Sequence, residues 1–311
     1  MNVPAKLAVY GLGLVVAFGG AFGAGRLLGP VASATTPPDH AAPEHTPAAP
    51  AADADAPAGL QISAGGYTLD PVETPEQAGE RADLAFRILG PGGAPVTDFA
   101  VAHEKRMHLI VVGRDLDGFQ HVHPEMSGDG TWRIPLELAE PGPYRMFADF
   151  VPEGGSGTTL GADLAVPGEY RPRPLPEQDR TAEVDGYTVE LAGDLVAGTT
   201  SDLTFTVRET DSGAPVTDLE PYLAAYGHLV ALRDGDLGYL HVHPEGEPGD
   251  GVTPSGPEIG FTAEVPSGGT YRLFLDFKHD GGVHTAEFTV PASAGERSAP
   301  APEDSGTGHG H

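Results

Sequence analysis

Cysteine is absent from the 311 residues, which excludes disulfides, thiolate metal sites and cysteine nucleophiles. Positive charge is scarce: 17 Lys and Arg stand against 45 Asp and Glu, for a net charge of -28. Nucleic acid is thereby excluded as a partner, because phosphate backbones are held by clustered Lys and Arg. Docking by charge onto an anionic membrane surface is excluded for the same reason. Long hydrophobic runs are missing after Arg26, and no helical period of useful length follows it. Neither a nucleophile elbow nor an HExxH motif occurs, which removes the common hydrolase templates. The metal ligands left to the chain are oxygen, imidazole and the thioethers of 4 methionines.

What is present begins with a targeting segment. Lys6 is followed by an uncharged apolar run from Leu7 to Gly25, closed by Arg26. About 20 such residues span the hydrocarbon core as a helix. The reading is a retained single-pass signal anchor over 1–29; the alternative is a signal peptide cleaved after "ASA" at Ala32 to Ala34. Both place the rest of the chain outside the cytoplasm, at the cell membrane or secreted. Residues 30–59 are rich in Pro, Ala and acidic groups and read as a disordered linker; 293–311 reads as a disordered tail.

Between them the chain repeats itself. "GYTLD" at Gly66 answers "GYTVE" at Gly186, and "GAPVTD" occurs at Gly93 and Gly213. "HLIVVGRDLDGFQHVHPE" from His108 aligns without a gap with "HLVALRDGDLGYLHVHPE" from His228, and "YRMFADF" with "YRLFLDF". The 44 glycines and 31 prolines punctuate short β-branched and aromatic segments, a pattern of antiparallel sandwiches. The expected fold is all-β: two tandem Ig-like or cupredoxin-like antiparallel β-sandwiches, repeat 1 over 60–168 and repeat 2 over 183–292. The Pro-rich 169–182 is expected to be a hinge.

The histidines carry the chemistry. In "HVHPE", His121 and His123 share one face of a strand. Pairing of Val112 with Phe119 sets His108 opposite His123; a slip of one residue removes it to the other face. Repeat 2 offers His228, His241 and His243, and adds His279 and His284 on a hairpin expected to turn at Gly281-Gly282. Repeat 1 has Met107 beside His108 and Met126 just past Glu125, where repeat 2 has Gly227 and Gly246. Imidazoles suit Cu(II) or Zn(II) and thioethers suit Cu(I), so copper is the expected ion, with zinc second. Arg145 with Asp149, and Arg272 with Asp276, share strand faces and read as ion pairs; the competing reading of the histidines themselves is structural.

The set "HLVAL…YLHVHPE…YRLFLDF…VHTAEFTV" resembles membrane-anchored or secreted bacterial tandem β-sandwich proteins related to the YtkA-like and CopC-like copper-handling domains. What the resemblance carries over is a ligand set, His228, His241 and His243 with His279 and His284; the expected function is a non-enzymatic, membrane-tethered protein that buffers copper or delivers it to a membrane transporter or a metalloenzyme. The N-terminal histidine ligand of CopC-type proteins has no counterpart here. The alternative is a cell-envelope interaction or structural module without metal. A third reading is a cupin-like metal oxygenase, although Glu125 follows His123 after a single residue, too close for the cupin pattern.

Overall fold

The computed structural model describes residues 57–295; the expected anchor, most of the linker and nearly all of the tail lie outside them. No helix among the described residues is long and apolar enough to cross a membrane.

Repeat 1 runs β1 (Ser63–Ala64), β2 (Tyr67–Glu73), β3 (Arg81–Leu89), β4 (His108–Gly113), β5 (Gln120–Val122), β6 (Glu125–Met126), β7 (Thr131–Glu137), β8 (Gly142–Phe150) and β9 (Thr158–Val166). These form two sheets, β1-β2-β3-β7-β6 and β5-β4-β8-β9. Side chains alternate across each strand, so Leu84, Phe86, Ile88, Leu109, Val111, Met146 and Leu160 meet between the sheets as one core.

Repeat 2 follows the same course as β10 (Thr181–Val184), β11 (Tyr187–Ala192), β12 (Leu195–Val196), β13 (Thr200–Glu209), β14 (Gly227–Arg233), β15 (Tyr239–Pro244), β16 (Glu258–Glu264), β17 (Gly269–His279) and β18 (Gly282–Ser293). Here β15 pairs with β14 on one side and, at its end, with β16 on the other, stitching the two sheets into one. The pairing of β12 with β18 is parallel; all other ladders are antiparallel. Leu203, Phe205, Val207, Phe261, Leu273 and Phe288 centre its core.

The two sandwiches are not beads on a hinge. Every residue of β4 is buried, as is nearly every one of β14, so both faces of each strand are covered. The outward faces pack on each other: Ile110, Val112 and Phe147 of repeat 1 with Val230, Leu232, Tyr239 and Phe274 of repeat 2 form a third core. Phe119 stacks on Phe274 at 4.0 Å between ring centres, and Tyr239 lies on Phe147 at 5.4 Å. Phe119 aligns with Tyr239 and Phe147 with Phe274, so each contact is the other's mate. That is the signature of a two-fold, self-complementary interface, here made within one chain by duplication.

Both expected connectors take part. Ala58 bridges Tyr239 of β15 while the Gly59 amide bonds Thr159 of β9, so the last linker residues lie along the seam. Within the expected hinge, Arg173 pairs with Asp117 at 2.9 Å and Leu175 packs on the shared core. The expected arginine pairs are exchanged for others. Arg145 binds Asp163 (2.8 Å) and the carbonyls of Gly59 and Leu60, and Arg272 binds Glu287 and Thr289.

Candidate functional site

The hairpin β4–β5 has the register Ile110 opposite His121. Met107, just before β4, and Leu109 and Val111 on it turn into the sandwich core, while His108, Ile110 and Val112 turn outward toward the seam. At the end of that seam His108, His121 and His123 converge. His121 Nε2 and His123 Nε2 each lie 3.2 Å from His108 Nδ1, and the three nitrogens all fall within 4.8 Å of one another. Among the described residues this is the group of three with metal-ligand spacing.

Each ring is held from behind. His108 Nε2–H donates to the Ala102 carbonyl at 3.1 Å, and His121 Nδ1–H donates to Asp276 Oδ2 of repeat 2 at 2.8 Å. A carbonyl or carboxylate oxygen only accepts, so each partner fixes its imidazole's tautomer. The Ala102 carbonyl is presented by a tight turn in which His103 and Glu104 both adopt positive φ, 47° and 63°, closed by hydrogen bonds between Ala102 and Lys105. Two consecutive non-glycine residues in that region carry strain of about 1 kcal/mol or more each.

Repeat 2 builds the same device. Leu223 and Ala224 have φ of 53° and 63°, and His228 Nε2–H donates to the Tyr222 carbonyl at 2.8 Å. His228 reaches the seam from the second repeat, its ring 6.3 Å from His121 and 5.7 Å from His103. Burial drives His108 and His228 down to a pKa of about 4 and His123 to about 3. The neighbouring imidazoles push the same way, while the Ala102 and Tyr222 carbonyls oppose the fall. These rings are therefore neutral at pH 7, with nitrogen lone pairs available.

Several expected ligands lie elsewhere. Met107 is buried in the repeat 1 core, and Met126 packs against that core beside Trp132, so neither thioether joins the imidazoles. His279 and His284 form a separate group around Tyr187. His279 Nδ1 meets the Tyr187 hydroxyl at 2.7 Å and its Nε2 meets Asp218 at 3.1 Å; His284 Nδ1 meets Asp185 at 2.9 Å. Their hairpin turns at Asp280-Gly281, both with positive φ, and not at Gly281-Gly282, which places His284 opposite Phe277. Backbone pairing sets His241 opposite Val230 and His243 opposite Thr262.

Sequence reasoning missed three parts of the site: Asp276, His103 and the two carbonyl-presenting turns. The duplication held a signal for the turns, since both histidines donate to a carbonyl six residues upstream.

No curated protein matches the chain. Among solved structures it is similar to a tetra-tandem repeat from the extending region of a large adhesion protein, at 13% identity, over 74% of this chain and 50% of that one, with a TM-score of 0.25. It is also similar to invasin, a bacterial integrin-binding protein (13% identity, 73% and 39% coverage, TM-score 0.21). The D0-D1 domain of intimin is a third (13%, 72% and 97%, TM-score 0.21). The chain spans half or less of the first two. The expectation of a copper buffer or copper donor is corrected. The thioethers that argued for it are core residues apart from the imidazoles, and the family matched is described only as a domain of unknown function, with no copper-handling family shown. That family matches twice, over residues 62–167 and 182–294, and by this double match the chain belongs to the family described as domain of unknown function DUF8832.

Proposed function

We propose that the chain is a non-catalytic interaction module of the cell envelope, held outside the cytoplasm by its N-terminal segment. The observation that carries this reading is the seam. Two homologous sandwiches bury apolar faces on each other and share one core, with loops left to vary at the surface. The similar adhesion structures point the same way without adding weight of their own.

One loop fits the role of contact. Repeat 2 carries a longer β15–β16 connection than the aligned stretch of repeat 1, and Val252 at its tip is 85% exposed. Asp250 orders this tip by accepting from the Val252 and Thr253 amides at 2.8 and 2.7 Å. A rigid loop with an exposed apolar tip presents a contact at low entropic cost.

Protease treatment of intact cells making the full chain tests the placement, and saturable binding of the purified chain to envelope fractions tests the role. Expected are cleavage without lysis and binding that Val252→Asp weakens. A chain protected until lysis, or one that binds no envelope fraction, overturns the reading.

A further inference from the structure

We propose that His108, His121 and His123 hold one divalent cation of the zinc class as a structural clamp on the seam between the repeats. The inference stands apart from the proposed function. It concerns a resident ion of the scaffold and not a cargo.

Three ring nitrogens converge, two of them on rings oriented from behind. His108 has committed its Nε2–H to Ala102, and His121 has committed its Nδ1–H to Asp276. The two nitrogens that remain, His108 Nδ1 and His121 Nε2, face each other at 3.2 Å. His123 Nε2 stands at the same distance from His108 Nδ1. Three ring nitrogens from two strand segments thus converge on one point, the arrangement that a cation needs. A cation at the centre satisfies all three. In a tetrahedral site with metal–nitrogen bonds of about 2.0–2.1 Å, ligand nitrogens stand about 3.3 Å apart, which matches both measured edges.

The surroundings agree. Imidazoles that bind metal donate their second N–H to a carboxylate or a carbonyl, and both partner types are in place here. The ligand set holds no thioether, which favours Zn(II) and its divalent neighbours over Cu(I). A cavity of about 20 Å³ bordered by His103, His108, His121 and His228 has the volume for one water as a fourth ligand. Because the carboxylate that aims His121 belongs to repeat 2, binding in repeat 1 reinforces the contact between the repeats.

The test uses the purified full chain, stripped with a chelator and titrated with Zn(II), and with Co(II) as a spectroscopic substitute. Expected are one tight equivalent, tetrahedral Co(II) absorption and slower amide exchange at Ile110 and Val230 on both sides of the seam. His123→Ala, at a half-buried position, loses the Co(II) spectrum, and Asp276→Asn weakens Zn(II) by about 10–100-fold. A variant lacking both tail histidines, His309 and His311, keeps the site. The proposal is overturned if the wild-type chain binds no Zn(II), if its affinity survives His123→Ala, or if loading leaves exchange at the seam unchanged.

Discussion

His121 donates its Nδ1–H to Asp276 across 2.8 Å, joining positions 155 residues apart, and both side chains are almost wholly buried. Asp276 is completed from its own repeat by Thr285, whose hydroxyl donates at 2.6 Å. Removing either member leaves the other buried without its partner, at a cost of about 1–3 kcal/mol. Asp276→Ala and His121→Ala in the metal-free chain should each lower stability by that order. The double variant should lose less than the sum, a coupling that denaturant titration of the four proteins reads directly.

The seam also fixes how the molecule unfolds. Phe147 is fully buried in the shared core and makes no contribution to the core of its own sandwich. Phe147→Ala should cost about 3–5 kcal/mol, mostly at the expense of coupling between the repeats. Calorimetry is expected to show one transition for the wild type and two for the variant. Phe205→Ala, inside repeat 2, should lower stability by a similar amount and unfold its own repeat first. Two wild-type transitions unaffected by Phe147→Ala would mean that the repeats fold as strangers.

The alternation of β4 and β8 and the register of the β4–β5 hairpin were legible in the sequence, because a buried face imposes period two and one register. The partner of the other face was not. Yet "LIVV" at Leu109 and "LVAL" at Leu229 are unbroken apolar runs, as strands covered on both faces show. The exchange of ion-pair partners has the same root. Arg145 and Asp149 share a face, but the seam recruits Asp149 toward Tyr239 and Arg145 toward Gly59. Local spacing carries no information about a neighbour brought in from far along the chain. Nor does it say which side of a strand a methionine takes when both are apolar, which is how Met107 came to look like a ligand.

Acid should loosen the seam in the absence of metal. His228 faces His103, His121, Asp276 and Tyr222, and burial holds its pKa at about 4, against about 6.5 in an unfolded chain. A base depressed in the fold contributes no pH dependence above about 6.5, where both states are neutral. Below that value the unfolded chain takes up the proton and the folded one does not, so stability falls until pH reaches about 4 and then levels. His108 and His123 add to the fall in the same direction. Together they should remove several kcal/mol between about pH 6.5 and pH 4. Denaturant midpoints should be flat from pH 8 to 7 and drop below 6, and His228→Gln should make the slope shallower. A midpoint that rises as pH falls toward 5 contradicts the assignment.

The segment before β1 that lies along the seam gives the sharpest single-residue test. Gly59 sits at φ 72°, and a Cβ there would stand 2.4 Å from the Phe147 ring and 3.2 Å from Tyr239. Its own carbonyl accepts from Arg145 and its amide donates to Thr159, so the backbone cannot swing away without breaking both. Left-handed backbone alone costs a residue with a side chain about 1–2 kcal/mol, and the clash adds to it. Gly59→Ala should therefore destabilise by more than about 2 kcal/mol, far above the loss from Gly157→Ala, where a Cβ meets open space and φ lies outside the left-handed region. Proteolysis followed by mass spectrometry should find the 57–60 segment protected in the wild type and cut in Gly59→Ala. Equal stability of the two alanine variants would show that the segment does not lie in the seam.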